Sequence, residues 1–192
     1  MTVTFGIEPW DASRMTFDLL NVVRKLPRVR LDLLDAPTSP GAYLQFLAVG
    51  HALPILGPVA EGRYPSYAGV ATKSLRARLG RYRQNLRGVD VFTERDVYIV
   101  LLPCAFRASA AFAEAAFIEE FNPLLQGFGW GAQMPGNERR STKCSDFDAL
   151  VPGRRWAPTP TATERACAQL RVVAYLAALD PKGPRWPRLE VC

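Results

Sequence analysis

The sequence has little of what zinc hydrolases and membrane proteins require. It contains one histidine, His51, and no uninterrupted apolar run of the roughly 18 residues needed to span a bilayer. Its four cysteines are far apart, so no C-x-x-C zinc or redox motif occurs. The N-terminal segment also lacks the basic and apolar stretches of a secretion signal. These absences exclude paired-histidine metal sites and membrane spans, and they predict a reduced, cytoplasmic protein.

Positive charge exceeds negative charge in this chain. The 192 residues include 24 Lys and Arg against 18 Asp and Glu, which gives a formal net charge of +6 and a pI near 9.4. Such a surplus favours a polyanionic partner without identifying it. The hydrophobic share of 48% is sufficient for the core of one globular domain. We therefore expect residues 1–192 to form a single domain.

Apolar periodicity and turn signals predict that helices and strands alternate along the chain. Helical spacing or Ala-rich composition predicts helices, and short apolar or β-branched runs predict strands. The predicted helices are 14–26, 74–87, 108–121 and 161–179, and the predicted strands lie near 41–47, 64–69 and 97–102. This order predicts an α/β fold with a small three-stranded mixed sheet flanked by helices. An N-terminal helical arm and a C-terminal extension complete it.

The helix predicted at 74–87 carries charge of one sign. It follows Lys73, and no acidic residue occurs before Asp90. Its arginines are Arg76, Arg78, Arg81, Arg83 and Arg87. A nucleic-acid backbone, with one negative charge per about 1.7 Å of duplex axis, is a partner that suits such a helix. A basic, solvated surface explains the same charge equally well.

Two tyrosine motifs precede an arginine, a third tyrosine and a lone carboxylate. Gly41-Ala42-Tyr43 and Tyr67-Ala68-Gly69 each place a tyrosine on a predicted strand. Arg78 and Tyr82 share one face of the basic helix because they are four residues apart, and Glu114 lies on the next helix. This ordered set resembles the GIY-YIG nuclease superfamily. The five matching positions are Tyr43, Tyr67, Arg78, Tyr82 and Glu114.

Segments that follow the glutamate narrow the resemblance to one branch of the superfamily. Gly127-Phe128-Gly129, Ser145–Asp148 and Val151–Ala157 are similar to the GFG, SDWD-like and HPGREWA-like elements of the type II restriction endonucleases that cut the palindrome CCGCGG. The resemblance covers about residues 15–157. It implies a catalytic core at about 40–126 and an extension at about 127–192 that completes DNA binding.

The resemblance implies a Mg²⁺-dependent, site-specific endonuclease that acts on double-stranded DNA. Glu114 would be the Mg²⁺ ligand, and one carboxylate implies one metal ion. Arg78 would hold the scissile phosphate and Tyr43 would be the general base, while Tyr67 and Tyr82 would orient the attacking water. A two-fold palindrome implies a homodimer. No P-loop or dinucleotide fingerprint occurs, so we expect no nucleotide cofactor.

Basic residues fall into two expected classes of DNA contact. Cations on or beside the catalytic helix would hold phosphates whatever the sequence. These are Lys73, Arg76, Arg81 and Arg83. Cations of the C-terminal extension would read guanines, because bidentate contacts to guanine O6 and N7 are the commonest specific contact. These are Arg139, Arg140, Lys143, Arg154 and Arg155.

The sequence departs from the branch at three positions. Val70 stands where a lysine commonly follows the Y-x-G motif, Gln126 replaces the usual asparagine, and Tyr82 replaces a histidine. The missing lysine bears on how the attacking water is activated, and Lys73 is the nearest cation. Two alternatives to a restriction enzyme therefore stay open. One is a repair or mobile-element nuclease of the same superfamily, which usually carries a separate DNA-binding domain, and the other is a DNA-binding module that has lost catalysis.

Overall fold

Helices and strands alternate along the chain in the computed structural model, which describes residues 13–50, 52–86, 89, 91–129, 144–151, 157–179, 186–187 and 189. The α-helices are α1 (Ser13–Val23), α2 (Leu75–Leu86), α3 (Arg107–Phe121), α4 (Asp146–Leu150) and α5 (Ala162–Ala178). The strands are β1 (Val29–Arg30), β2 (Gly41–Leu47), β3 (Tyr67–Ala71) and β4 (Val97–Pro103). None of the helices within these ranges has both the length and the hydropathy to cross a bilayer.

The four strands form one antiparallel sheet in the order β1-β4-β2-β3. Strand β2 lies in its centre and pairs with β4 on one side and β3 on the other. The register places Tyr43 opposite Gly69 and Gln45 opposite Tyr67. Strand β3 is consequently an edge strand, and its outward backbone groups need partners other than a strand.

The predicted α/β fold, with a small sheet flanked by helices, is confirmed, but the sheet differs from the prediction in two details. It has four strands rather than three, because Val29 and Arg30 pair with β4. Two residues are too few to produce a periodic pattern. All strand pairs are antiparallel rather than mixed, because strand direction depends on the path of the connections, which local patterns do not encode.

Side chains on the two faces of the sheet enter two hydrophobic clusters. Successive residues of a strand point to opposite faces. Tyr43 and Leu47 therefore join the cluster that contains the apolar side of α2, whereas Leu44 and Phe46 join the one that contains α1 and α3. Trp186 packs on Phe46, with the ring centroids 5.0 Å apart. Helices on both faces thus bury all of β2.

Helix boundaries follow the capping and periodicity of the sequence. The Ser74 hydroxyl accepts a hydrogen bond from the Ala77 amide at 3.2 Å and caps α2. The predicted second, third and fourth helices match α2, α3 and α5 to within one residue at each end. The first helix ends three residues before the predicted Leu26, because the Leu26 amide bonds to the Val23 carbonyl in a tighter final turn. The short α4 was not predicted.

Gly41 lies where β2 passes between β4 and the start of α2. A Cβ atom at this position would lie 2.5 Å from the Leu102 carbonyl oxygen and 2.6 Å from Cδ1 of Leu75. The first glycine of the tyrosine motif is therefore required by packing, since any larger residue would push α2 and β4 apart.

We expect Gly41→Ala to lower the free energy of unfolding by about 1–3 kcal/mol, because the methyl group overpacks the contact with β4 and α2. Gly80→Ala is the matched control. Its Cβ would have no atom within 4 Å, and alanine inside a helix should raise the free energy of unfolding by up to about 1 kcal/mol. Urea denaturation measures both. Equal stability of the two variants would contradict this account of Gly41.

Candidate active site

The two tyrosine motifs lie side by side on β2 and β3. Tyr43 is fully buried and Tyr67 is 4% exposed, and their ring centroids are 6.3 Å apart. A Cβ atom on Gly69 would lie 2.5 Å from both Cζ and the hydroxyl oxygen of Tyr43. The glycine of the second motif is thus what allows the Tyr43 phenol to lie across β3.

Arg78 brings a partly buried positive charge from α2 to both phenols. Burial acts to lower the pKa of Arg78, but the phenols of Tyr43 and Tyr67 outweigh it and raise that pKa. Within the described residues, the Tyr43 hydroxyl and the Arg78 Nε are both buried without a hydrogen-bond partner. Two unpaired polar atoms at one place indicate a polar ligand site.

Glu114 reaches the same place from α3. Burial raises the pKa of its carboxyl group, while Arg78 and a hydrogen bond involving the Val70 backbone act in the opposite direction. The Val70 amide lies two residues beyond that of Ala68, so both amides point to the outer edge of β3. The carboxylate is therefore held at the edge of the sheet, beside the arginine and the phenols.

Gln126 occupies the same outer edge of β3. Its Oε1 accepts a hydrogen bond from the Ala68 amide at 3.1 Å, and the Leu125 amide donates to the Ser66 carbonyl at 2.8 Å. Gln126 replaces the asparagine usual in the branch, and its side-chain amide still caps the edge strand by accepting from the Ala68 backbone. Motif comparison located this residue but did not indicate its role.

Tyr82 lies one turn after Arg78 and is 5% exposed. It packs in the same hydrophobic cluster as Tyr43 and Tyr67. The structure therefore places all five motif positions on β2, β3 and the two helices that flank β3. Four of them influence one another electrostatically. These four are Tyr43, Tyr67, Arg78 and Glu114.

Two of the arginines predicted to contact DNA bind the chain itself. Arg76 Nε donates to the Ala36 carbonyl at 2.9 Å, and Arg83 Nη2 donates to the Leu34 carbonyl at 2.9 Å. Both side chains thus fasten the segment 31–36, which leads into β2, to α2. Arg76 also pairs with Asp35 at 3.0 Å, and Arg83 with Glu94 at 3.5 Å. Charge alone did not reveal this role, because the other acceptors are backbone carbonyls.

The remaining predicted DNA contacts fall into two groups. Lys73 and Arg81 are exposed, and neither forms an ion pair with any residue that the structure describes. Arg81 also lies near enough to lower the pKa of Tyr43. The other predicted contacts lie outside the described residues. They are Arg139, Arg140, Lys143, Arg154 and Arg155.

Two of the downstream motifs, the GFG turn and the SDFD element, meet in space. Residues 152–156 of the third motif lie outside the described residues. The Phe147 amide donates to the Phe128 carbonyl at 2.8 Å, which joins the SDFD element to the GFG turn. Ser145 caps α4, accepting a hydrogen bond from the Asp148 amide at 3.1 Å. Gly129 has a φ of +81°, and its Cβ would lie 2.7 Å from Cβ of Ser145. These motifs therefore form one structural unit, which packs on α5.

A divalent cation would find one protein ligand in this site, Glu114. Across the described ranges, no three His, Cys, Asp or Glu side chains converge. Mg²⁺ keeps several waters and takes phosphate oxygens, so one carboxylate with a substrate phosphate satisfies it. A cation would also offset the burial that raises the pKa of Glu114. The side chains present thus fit Mg²⁺ that binds together with DNA.

Paired tyrosines on adjacent antiparallel strands, an arginine on the next helix and a glutamate on the helix after it define a GIY-YIG domain. Residues 41–175 match the family model described as the Eco29kI GIY-YIG domain. The chain belongs to this restriction endonuclease family, which indicates a nuclease that binds DNA. No curated protein matches the chain.

We expect Arg83→Gln to lower the free energy of unfolding by about 1–3 kcal/mol, because the carbonyls of Leu31 and Leu34 lose their donor. Arg81→Gln removes the same charge from the same helix and should change stability by less than about 0.5 kcal/mol. Urea denaturation compares the two variants. An equal loss in both would show that Arg83 has no special structural role.

Proposed function

We propose that this protein is a type II restriction endonuclease of a restriction-modification system. It hydrolyses both strands of double-stranded DNA at a short GC-rich palindrome, for which CCGCGG is the expected sequence. The convergence of two phenols, a guanidinium and a carboxylate at β3 carries the proposal, because phosphodiester hydrolysis needs a base, a cation on the phosphate and relief of charge on the leaving group.

Arg78 holds the scissile phosphate in this proposal. Its buried Nε has no hydrogen-bond partner among the described residues, so it is available to a phosphate oxygen. The planar guanidinium can also donate two parallel hydrogen bonds, which an ammonium group cannot do. The phenols beside it keep the pKa of Arg78 raised despite burial. A charged donor is therefore in place before the DNA binds.

Tyr43 acts as the general base in this proposal. In its phenolate form it takes a proton from the water that attacks the phosphorus, and the bond from phosphorus to the 3′ oxygen breaks in line with that attack. Tyr67 and Tyr82 orient the water. Burial raises the pKa of Tyr43, and Arg78 opposes the shift. The free site thus disfavours the phenolate, and base function depends on the cations around it.

Glu114 holds one Mg²⁺ ion in this proposal, at the edge of β3. When bound, the ion supplies positive charge to the phosphate and to the leaving oxygen. The Val70 backbone interaction fixes the carboxylate for this purpose. No nucleotide cofactor is needed for the reaction.

Two copies of the chain act on one site in this proposal. A two-fold palindrome is most simply read by a two-fold dimer, in which each protomer cuts one strand. The C-terminal extension reads guanines through its basic residues. These residues are Arg139, Arg140, Lys143, Arg154 and Arg155.

A DNA-binding module with weakened catalysis is the second candidate. Val70 favours it, because an apolar side chain stands where a lysine is common in the branch, and burial keeps the pKa of Tyr43 raised. Metal-dependent cleavage distinguishes this candidate from a nuclease.

Incubation with Mg²⁺ and a supercoiled plasmid that carries one CCGCGG site tests the proposal. We expect a linear product from the wild type and no cleavage of a plasmid without the site. Glu114→Gln should lower the rate by on the order of 10³-fold or more, because the metal ligand is lost. It should still bind the site in Ca²⁺. A wild-type protein that binds this DNA but leaves it uncut with Mg²⁺ or Mn²⁺ would instead support the binding module.

Arg78→Lys tests whether the planar shape of the guanidinium matters in addition to its positive charge. We expect the single-turnover cleavage rate to fall by about 10²-fold, with little change in DNA affinity, because the charge stays and the planar fork is lost. Arg165→Lys, on the exposed part of α5, is the matched control and should cleave at the wild-type rate. An effect of Arg78→Lys on affinity alone would place this residue among ordinary backbone contacts.

A further inference from the structure

We propose that Arg81 is a second cation of the active site. It favours the phenolate form of Tyr43, which is the form that can take a proton from the attacking water, in a chain that has valine at position 70. This inference rests on the proposed nuclease function and names a positioning residue within it. In this proposal the charge comes from Arg81 rather than from Lys73, the nearest cation in the sequence, and Arg81 is more than a general phosphate contact.

Helix geometry separates the arginines of α2 into two pairs. Arg76 and Arg83 are seven residues apart, about two turns, and share one side of the helix. Arg78 and Arg81 are three residues apart and share another side. The apolar stripe lies between the two pairs. Its residues are Leu75, Leu79, Tyr82 and Leu86, which are all buried.

Arg81 differs from Arg76 and Arg83 in its contacts with the rest of the chain. Arg76 and Arg83 bind backbone carbonyls of the segment 31–36. Arg81 is exposed, and it forms neither an ion pair nor a side-chain hydrogen bond with the part of the chain that the structure describes. Its guanidinium therefore remains free to act beside Arg78, one helical turn away.

Charged groups from every element around Tyr43 act on its hydroxyl. Arg78 and Arg81 of α2 lower the pKa of Tyr43, and Glu114 of α3 raises it, although burial is the largest influence and raises it overall. On β3, the neighbouring Tyr67 has its own pKa raised, by burial first and then by Tyr43. Arg81 is therefore one of two cations that favour the Tyr43 phenolate.

This chain has valine at position 70, where the branch commonly has a lysine, so one positive charge is missing from β3. The Val70 backbone still interacts with the Glu114 carboxylate, so replacement of a lysine by valine keeps the backbone contact and loses only the charge. Lys73, three residues further along, is exposed and is not among the charges that act on Tyr43 within the described residues. Among the described residues, the cations that act on Tyr43 are Arg78 and Arg81.

Single-turnover cleavage at saturating DNA with Mg²⁺, measured from pH 6 to 10, tests the proposal. Removing a cation disfavours the phenolate, so Arg81→Gln should raise the apparent pKa of the rate profile by about one unit. It should therefore slow cleavage near neutral pH about tenfold. Arg81→Lys should retain most of the rate. Arg14→Gln removes one charge from the exposed side of α1, which packs on α3 and β4, and should behave as wild type.

A rescue variant gives the inference a second readout. Adding Val70→Lys to Arg81→Gln should restore the rate near neutral pH and return the profile to lower pH, which a purely structural defect would not permit. Weaker DNA binding by Arg81→Gln with an unchanged saturating rate and pH profile would overturn the inference while cleavage by the wild type upholds the proposed function. Failure of the wild type to cleave any DNA would overturn both.

Discussion

The site depends on the packing of the Tyr43 phenol across Gly69. This contact exists because β2 and β3 pair in a register that places the two residues opposite each other. A shift of the register by one residue would turn Tyr43 to the other face of the sheet, into the cluster formed by α1 and α3. The phenol would then be out of reach of Arg78. The register of one strand pair therefore determines whether the Tyr43 phenol lies beside Arg78.

The edge position of β3 links the fold to the chemistry. An edge strand exposes unpaired amides, and proteins cover such edges with side chains or other elements. Here Gln126 accepts from the Ala68 amide, and Glu114 interacts with the Val70 backbone. The carboxylate that would bind a metal ion thus also interacts with the backbone of the edge strand. Its position is specified by the same hydrogen bonding that completes β3.

The sequence predicted the elements that carry the motif residues better than the details of the sheet. Motif order and helical spacing placed Tyr43, Tyr67 and Arg78 on the elements where the structure has them, because these signals are local. The antiparallel direction of the strands and the pairing of β1 depend on contacts between distant segments, which local patterns do not record. The structural roles of Arg76 and Arg83 were missed for the same reason. Their carbonyl acceptors lie about 40 to 50 residues earlier, and the carboxylates that pair with these arginines, Asp35 and Glu94, are also distant in sequence or lie on another element.

The conflict between burial and charge explains how α2 uses its arginines. A phenol held in a core is well positioned but reluctant to ionise, since burial raises its pKa. A cation can oppose this rise in pKa only if its charge is not neutralised by hydrogen bonds to the protein's own carbonyl groups. Helical spacing separates the two roles. The arginines on one side of the apolar stripe bind the segment 31–36, whereas Arg78 and Arg81 lie on the other side and act on the Tyr43 phenol. The positive charge that acts on Tyr43 thus comes from a helix whose orientation the core already fixes.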